Sequence, residues 1–476
     1  MISKNTSLIF VLVSSAAVLL SGCSALQPSF EESTLDLPES WANLENDNLY
    51  IVNTTDIARL QWWEMFNDSN LSSLIKSGLK ANPDFTIAKI RIIQAQEQLI
   101  SVGADKNPSV DANLRSSKST SSSESSLGRT STVMNTQFQT SWEFDIFGKF
   151  DRTIEASKAN LQKKIAASHG VKVRLIADIV ESYIKFRSVQ EDLKLNIEAA
   201  KYLTDFLKLS SLESRVGISS QEEVFLARSR LLNTKTTITG KTSDLKELGM
   251  TIDLLIGNSA GDTFDTLMDS KNSLKSPSNI AISIPAETIL QRPDIQEALF
   301  ALQEETAKVG VAEAQRYPSF SFTGSLGLEA LTINALGSSS ANFSSIQANL
   351  LAPIFNSGGL TANVNAQIAT RDAALESYKN VISNGLMETE QALVKLLSIK
   401  DQLSDINRSV KAGGKHLELT QYKYQSGLVS HRDVLDSLNE LNSLKTKQSQ
   451  IQFSELTSIT QLYKTLGGGW AQTVKN

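Results

Sequence analysis

Residues 133–144 read Val-Met-Asn-Thr-Gln-Phe-Gln-Thr-Ser-Trp-Glu-Phe. Met134, Thr136, Phe138, Thr140, Trp142 and Phe144 fall on one side of an extended chain, with Val133, Asn135, Gln137, Gln139 and Ser141 on the other. This period of two predicts a strand with one face to lipid and one to water, or an amphipathic sheet laid on a soluble core. The pattern returns at Phe320, Phe322 and Gly324, which alternate with Ser and Thr. Ser-rich stretches at 116–132 and 337–345 separate the paired strands and suit exposed loops.

The recurrence belongs to a tandem duplication. Asn82-Pro83-Asp84-Phe85 matches Arg292-Pro293-Asp294-Ile295, and Asn107-Pro108-Ser109 matches Tyr317-Pro318-Ser319, both at an offset of 210. Arg215-Val216-Gly217-Ile218-Ser219-Ser220 aligns with Gln425-Ser426-Gly427-Leu428-Val429-Ser430 at the same offset. Each unit opens with a helix bounded by Pro83 and Pro108 or by Pro293 and Pro318. A long helical segment follows the strands. Ile176, Ile179, Tyr183, Phe186, Gln190, Leu193, Ile197, Ala200, Thr204 and Leu207 mark a coiled-coil seam. Leu386, Leu393, Leu396, Leu403, Val410 and Leu417 repeat it, with Thr389, Lys400 and Asn407 as interruptions. From 149 to 215 such a helix is a rod of about 100 Å, which must pack on partner helices. Both rods break at short, partly apolar tips, Val216, Gly217, Ile218 and Gly427, Leu428, Val429, then resume at Gln221 and His431. Exposed apolar tips imply that something docks there, or else a hydrophobic staple within the turn.

The 476 residues carry 46 Lys+Arg against 51 Asp+Glu, a net charge of −5, which argues against a nucleic-acid partner. The 9 Pro and 7% aromatic residues favour long helices over a turn-rich all-β fold. Lys4 and the apolar run Leu8 to Leu20 read as an export signal. Leu20-Ser21-Gly22-Cys23 resembles a bacterial lipobox, making Cys23 the lipidated mature N-terminus, and Ser24 implies sorting to the outer membrane. Beyond residue 23 no stretch reaches the ~18 apolar residues of a spanning helix, so a membrane crossing must use strands. The predicted organisation is a signal peptide over 1–22, then two repeats. The first covers 23–290, with strands about 109–146 and a hairpin about 148–257. The second covers 291–476, with strands about 319–354 and a hairpin about 357–466.

The chain resembles the TolC-type outer-membrane efflux factors, in their lipid-anchored branch. The resemblance rests on Trp62-Trp63 with Phe66-Asn67-Asp68, on Trp142-Glu143-Phe144-Asp145-Ile146-Phe147-Gly148-Lys149, and on Pro353-Ile354-Phe355-Asn356-Ser357-Gly358-Gly359. Asp433-Val434-Leu435-Asp436 and Tyr463-Lys464-Thr465-Leu466-Gly467-Gly468-Gly469-Trp470 complete it. It implies an α+β membrane protein in which three chains of four strands close a twelve-stranded outer-membrane β-barrel, continued by a coiled-coil tunnel of twelve helices through the periplasm. It further implies a passive duct, lipid-anchored in a Gram-negative outer membrane, that docks on a periplasmic adaptor (membrane fusion protein) and an inner-membrane transporter of RND type.

By the same resemblance Asp433, Asp436 and Tyr424 form the periplasmic gate. Symmetry would make each acid a ring of three carboxylates, favouring cations, with some pKa values raised by mutual repulsion. The family's basic gate partner is replaced by Val429, leaving Arg432 or Lys423 as substitutes. Two other functions share parts of the pattern: a type I protein secretion duct and a structural periplasm-spanning lipoprotein. An enzyme finds no support. His169, His416 and His431 lack His-x-x-x-His spacing, no G-x-S-x-G occurs, and Lys235 stands where a phosphate loop ending in Gly240-Lys241-Thr242 needs glycine. No cofactor is called for, and one Cys with six Met offers no soft-metal cluster.

Overall fold

The computed structural model describes residues 37–43, 61–122, 124, 130–269, 274–277, 280 and 289–470. The signal peptide and Cys23 lie outside the described residues. In chain order the elements are α1 (Ser69–Ala81), α2 (Pro83–Ala104), β1 (Ser109–Thr120), β2 (Thr130–Phe144), α3 (Lys149–Arg215) and α4 (Gln221–Ile256). They continue with α5 (Phe264–Asp269), α6 (Pro293–Ala314), β3 (Ser319–Ala330), β4 (Asn342–Leu351), α7 (Gly359–Gln425) and α8 (His431–Thr465). The duplication is visible in the elements: α2 and α6 are 22 residues each, α3 and α7 are 67. The first helix of each repeat stops at Ala104 or Ala314, short of the proline, because a residue before proline is driven out of helical geometry.

The chain divides into two compact units. One comprises residues 91–165 and 297–379 and holds the sheet. Its strands are antiparallel in the order β1-β2-β3-β4, so the hairpins of the two repeats are joined through β2 and β3. The register puts Val110, Thr140, Gly324 and Ile346 in one row, and Ala112, Phe138, Leu326 and Ser344 in the next on the same face. Ser109, Ser141, Thr323 and Gln347 make a row on the opposite face, as do Asp111, Gln139, Ser325 and Ser345. The sheet is thus apolar on one side and polar on the other. Leu114, Phe138, Leu326, Ile346 and Leu350 stand exposed on the apolar side. An amphipathic sheet over a soluble core would bury those side chains; here no part of the unit covers them. Among the described residues the outer edges of β1 and β4 carry no strand partner.

The second unit comprises the described residues of 35–90, 166–296 and 380–476. Trp62 stacks on Tyr463 with centroids 5.5 Å apart and meets Phe66 edge-on. Tyr183 donates to Asp68 at 2.7 Å and accepts from Arg187 at 2.7 Å. Since Asp68 also caps α1, this buried chain links the helix start to the seam of α3. The two repeats close in the same way. Asn82 donates to the Leu255 carbonyl at 3.0 Å, and its counterpart Arg292 donates to the Thr465 carbonyl at 2.7 Å, 210 residues later on both sides. Gly257 and Gly467 then end α4 and α8 in left-handed geometry, φ 76° and 70°.

The seam is real in its first half, with Ile176, Ile179, Tyr183 and Phe186 fully buried, but Ile197 is 51% exposed. Thr389, expected as an interruption, is fully buried. Its hydroxyl donates to the Gly385 carbonyl one turn back at 2.9 Å, so the polar group is satisfied inside the helix.

Candidate functional site

The two hairpin tips, both in the second unit, are built alike. In the first, Ile218 donates to the Glu213 carbonyl at 2.9 Å and Gly217 to that of Ser214 at 3.2 Å. In the second, Leu428 donates to the Lys423 carbonyl and Gly427 to that of Tyr424, both at 2.9 Å. This paired pattern caps a helix only if the residue after its end takes positive φ, which Gly217 (78°) and Gly427 (70°) do. Nothing lies within 4 Å of where a Cβ would stand on either glycine. Val216, Ile218 and Leu428 are 70%, 77% and 74% exposed, while Val429 is half-buried. The tips therefore offer apolar side chains and bare backbone together.

Ser430 caps α8. The Asp433 carboxylate accepts from the Ser430 amide at 2.8 Å and hydroxyl at 2.7 Å, completing a capping box. These bonds hold Asp433 below the ordinary carboxylate range, the Ser430 hydroxyl having the largest effect. Within one chain the sign is thus opposite to the rise that repulsion between acids would produce, because the hydrogen bonds stabilise the charged form. The first repeat uses Ser220 as cap, and Glu223 accepts from the Ser219 hydroxyl at 2.5 Å.

Asp436 is brought to Arg230 of α4 at 2.8 Å, while Arg432 lies 3.9 Å away. Sequence reasoning missed Arg230, which a helical wheel cannot pair with a residue 206 positions away. Tyr424 donates to Glu213 of α3 at 3.4 Å and stacks on His431, centroids 4.7 Å apart. Phe206 closes on the same imidazole at 4.4 Å. Next to this group, Leu203, Phe206, Ala227, Leu231 and Leu435 form a small core joining α3, α4 and α8. Asp433 and Asp436 make no hydrogen bond or ion pair with Tyr424.

No helix of the described residues is long and apolar enough to cross a membrane, and no described His, Cys, Asp or Glu group could hold a metal ion.

The sequence model of the family described as Outer membrane efflux protein matches twice, over residues 74–258 and 284–468, again 210 residues apart. The chain is 26% identical over 461 residues to the cation efflux system protein CusC of Escherichia coli O6:H1, covering 96% of this chain and 98% of that one. It is 26% identical to the solvent efflux pump outer membrane protein SrpC of Pseudomonas putida, covering 96% and 97%. Among solved structures, the outer-membrane channel OprN superposes with a TM-score of 0.84 at 24% identity, over 94% of this chain and 99% of that one. The Campylobacter jejuni CmeC outer membrane channel gives 0.84 at 24%, over 94% and 96%. The duplicated hairpins, the two-faced sheet and the double family match agree: the chain belongs to the outer membrane efflux protein family, of the TolC type, and serves efflux at the outer membrane.

Proposed function

We propose that three copies of this chain close a duct through the outer membrane, and that a periplasmic adaptor and an inner-membrane transporter of RND type open it for small solutes. The open, two-faced sheet carries this reading. A sheet with a bare apolar face belongs against lipid, yet four strands cannot close, and an unpaired edge in lipid costs several kcal/mol per stranded backbone group. Further copies supplying strands to both edges remove that cost and turn the polar face inward. The chain does no chemistry in this scheme. Cys23 carries the lipid anchor.

The tips are the adaptor-docking surface: Val216, Gly217 and Ile218 with Gly427, Leu428 and Val429 present apolar groups and approachable backbone. Tyr424, Asp433 and Asp436 form the gate, and Arg230 is the basic partner that stands in where Val429 replaces the family's residue. Relatives at 25–26% identity are named for cations, solvents, toluene and antibiotics. Ducts so similar in sequence serve different cargo, which supports selection by the pump rather than by this chain.

The test is single-channel conductance of purified trimers in planar bilayers, wild type beside Asp433→Ala/Asp436→Ala. The expected result is a small cation-selective current that grows or loses selectivity in the double variant. Intact trimers that never conduct, in either form, would reject the duct.

A further inference from the structure

His431 opens α8 at the second tip, and its ring lies between Tyr424 of α7 at 4.7 Å, nearly parallel at 19°, and Phe206 of α3 at 4.4 Å. Its Nδ1 is buried and has no hydrogen-bond partner. The imidazole is therefore the titratable piece among the contacts that join the returning helix of the second hairpin to the first, beside the Leu435 core and the Arg230–Asp436 pair. We propose that neutral His431 is a clip holding the tip of the second hairpin against the first, and that its protonation releases the clip and favours the open duct. The inference rests on reading the hairpin tips as the gated end, and adds to it a control by pH.

The charged form is poorly served in this site. An imidazolium carries two N–H donors and needs an acceptor or water for each, and the aromatic walls provide none at Nδ1. Two carboxylates oppose this penalty, Glu213 from α3 and Glu223 from α4. On α7 the facing group is Tyr424, whose hydroxyl is turned to Glu213. On α8 itself Asp433 is engaged by Ser430, and Arg432 leans towards Asp436. Burial outweighs the two acids, and the ring titrates below its ordinary 6.5. A base whose value is lowered in the packed state stabilises that state fully above 6.5, and the stabilisation is lost as pH falls through the lowered value. Acid thus favours any arrangement in which the ring reaches water.

The experiment compares purified wild type with His431→Phe, which keeps the ring stack but cannot titrate, between about pH 7.5 and about pH 5.5. Two readouts are taken: open probability in planar bilayers, and the distance between spin labels at Glu222→Cys and Gln425→Cys on the two tips. Wild type is expected to open about fivefold more often at the acid end, the lower end of ordinary coupling free energies, with a longer label distance. His431→Phe should show neither change. The same pH response in His431→Phe, or no acid lengthening in wild type, overturns the clip. A label distance that lengthens only with His431 present, in trimers that pass no current, leaves the clip standing and rejects the duct.

Discussion

Tyr183 shows what a single hydroxyl holds. It accepts from Arg187 and donates to Asp68, with all three residues buried. Burial, then the bond to Asp68, pushes the phenol well above its ordinary value, so it stays protonated and keeps donating. Tyr183→Phe removes the shared atom and leaves Asp68 and Arg187 facing each other without their bridge. Thermal unfolding should show a loss of about 1–3 kcal/mol; an unchanged midpoint would mean water replaces the hydroxyl. At the tip, Asp433 has the opposite shift. Its depressed pKa makes the capping contribution full above the ordinary 3.8 and lost as pH falls through the lowered value. Ser430→Ala should cost about 1 kcal/mol by the same unfolding measurement and weaken that acid dependence, the amide of residue 430 still donating to Asp433.

At the scale of elements, the ends of helices repay attention more than their middles. Gly257 ends α4 at φ 76°, and a Cβ there would stand 2.6 Å from the Ala81 carbonyl oxygen, the last residue of α1. Gly257→Ala combines a left-handed penalty with a backbone clash and is expected to cost about 2 kcal/mol or more in denaturant unfolding. The tip glycines carry the same left-handed penalty, φ 78° and 70°, but have open space around them, so a side chain there meets no clash and its main effect is to block what approaches. Gly217→Asp or Gly427→Asp should therefore abolish efflux in a drug- or dye-export assay while trimers assemble normally. Loss of assembly together with efflux would count against docking at the tips.

For the whole molecule, the internal repeat predicts how copies meet. Within the chain β2 of the first repeat pairs with β3 of the second, and Trp142 stands opposite Phe322. Aligning Ile146-Phe147 with Ile354-Phe355 places Leu350 where Trp142 stands, and the 210-residue offset places Ala112 where Phe322 stands. If the free edge of β4 meets β1 of a second copy as β2 meets β3, Leu350 faces Ala112 of that copy. Both lie on the apolar face, as the sheet requires. Leu350→Cys with Ala112→Cys, in a Cys23→Ser background, should yield disulfide-linked trimers on a denaturing gel, and Leu350→Cys with Leu114→Cys should not. Trimers locked only by the second pair would move the register by two residues while keeping the assembly.

The duplication, the alternating strands, the glycine tips and the family were legible in the sequence because each depends on neighbours in the chain or on a fixed offset. Period two places Phe138 and Gln139 on opposite faces whatever lies around them, and Gly217 and Gly427 declare a turn by their own backbone freedom. What the sequence left open depends on partners far away in the chain. Thr389 reads as a break in a seam until its hydroxyl is seen turned to Gly385; Asp436 reads as a lone acid until α4 brings Arg230 beside it. His431 reads as one of three scattered histidines, and only the packing of α3 and α7 against α8 puts its ring between Phe206 and Tyr424. Local geometry is written in the order of residues, whereas burial and charge pairing are properties of the space that distant residues come to share.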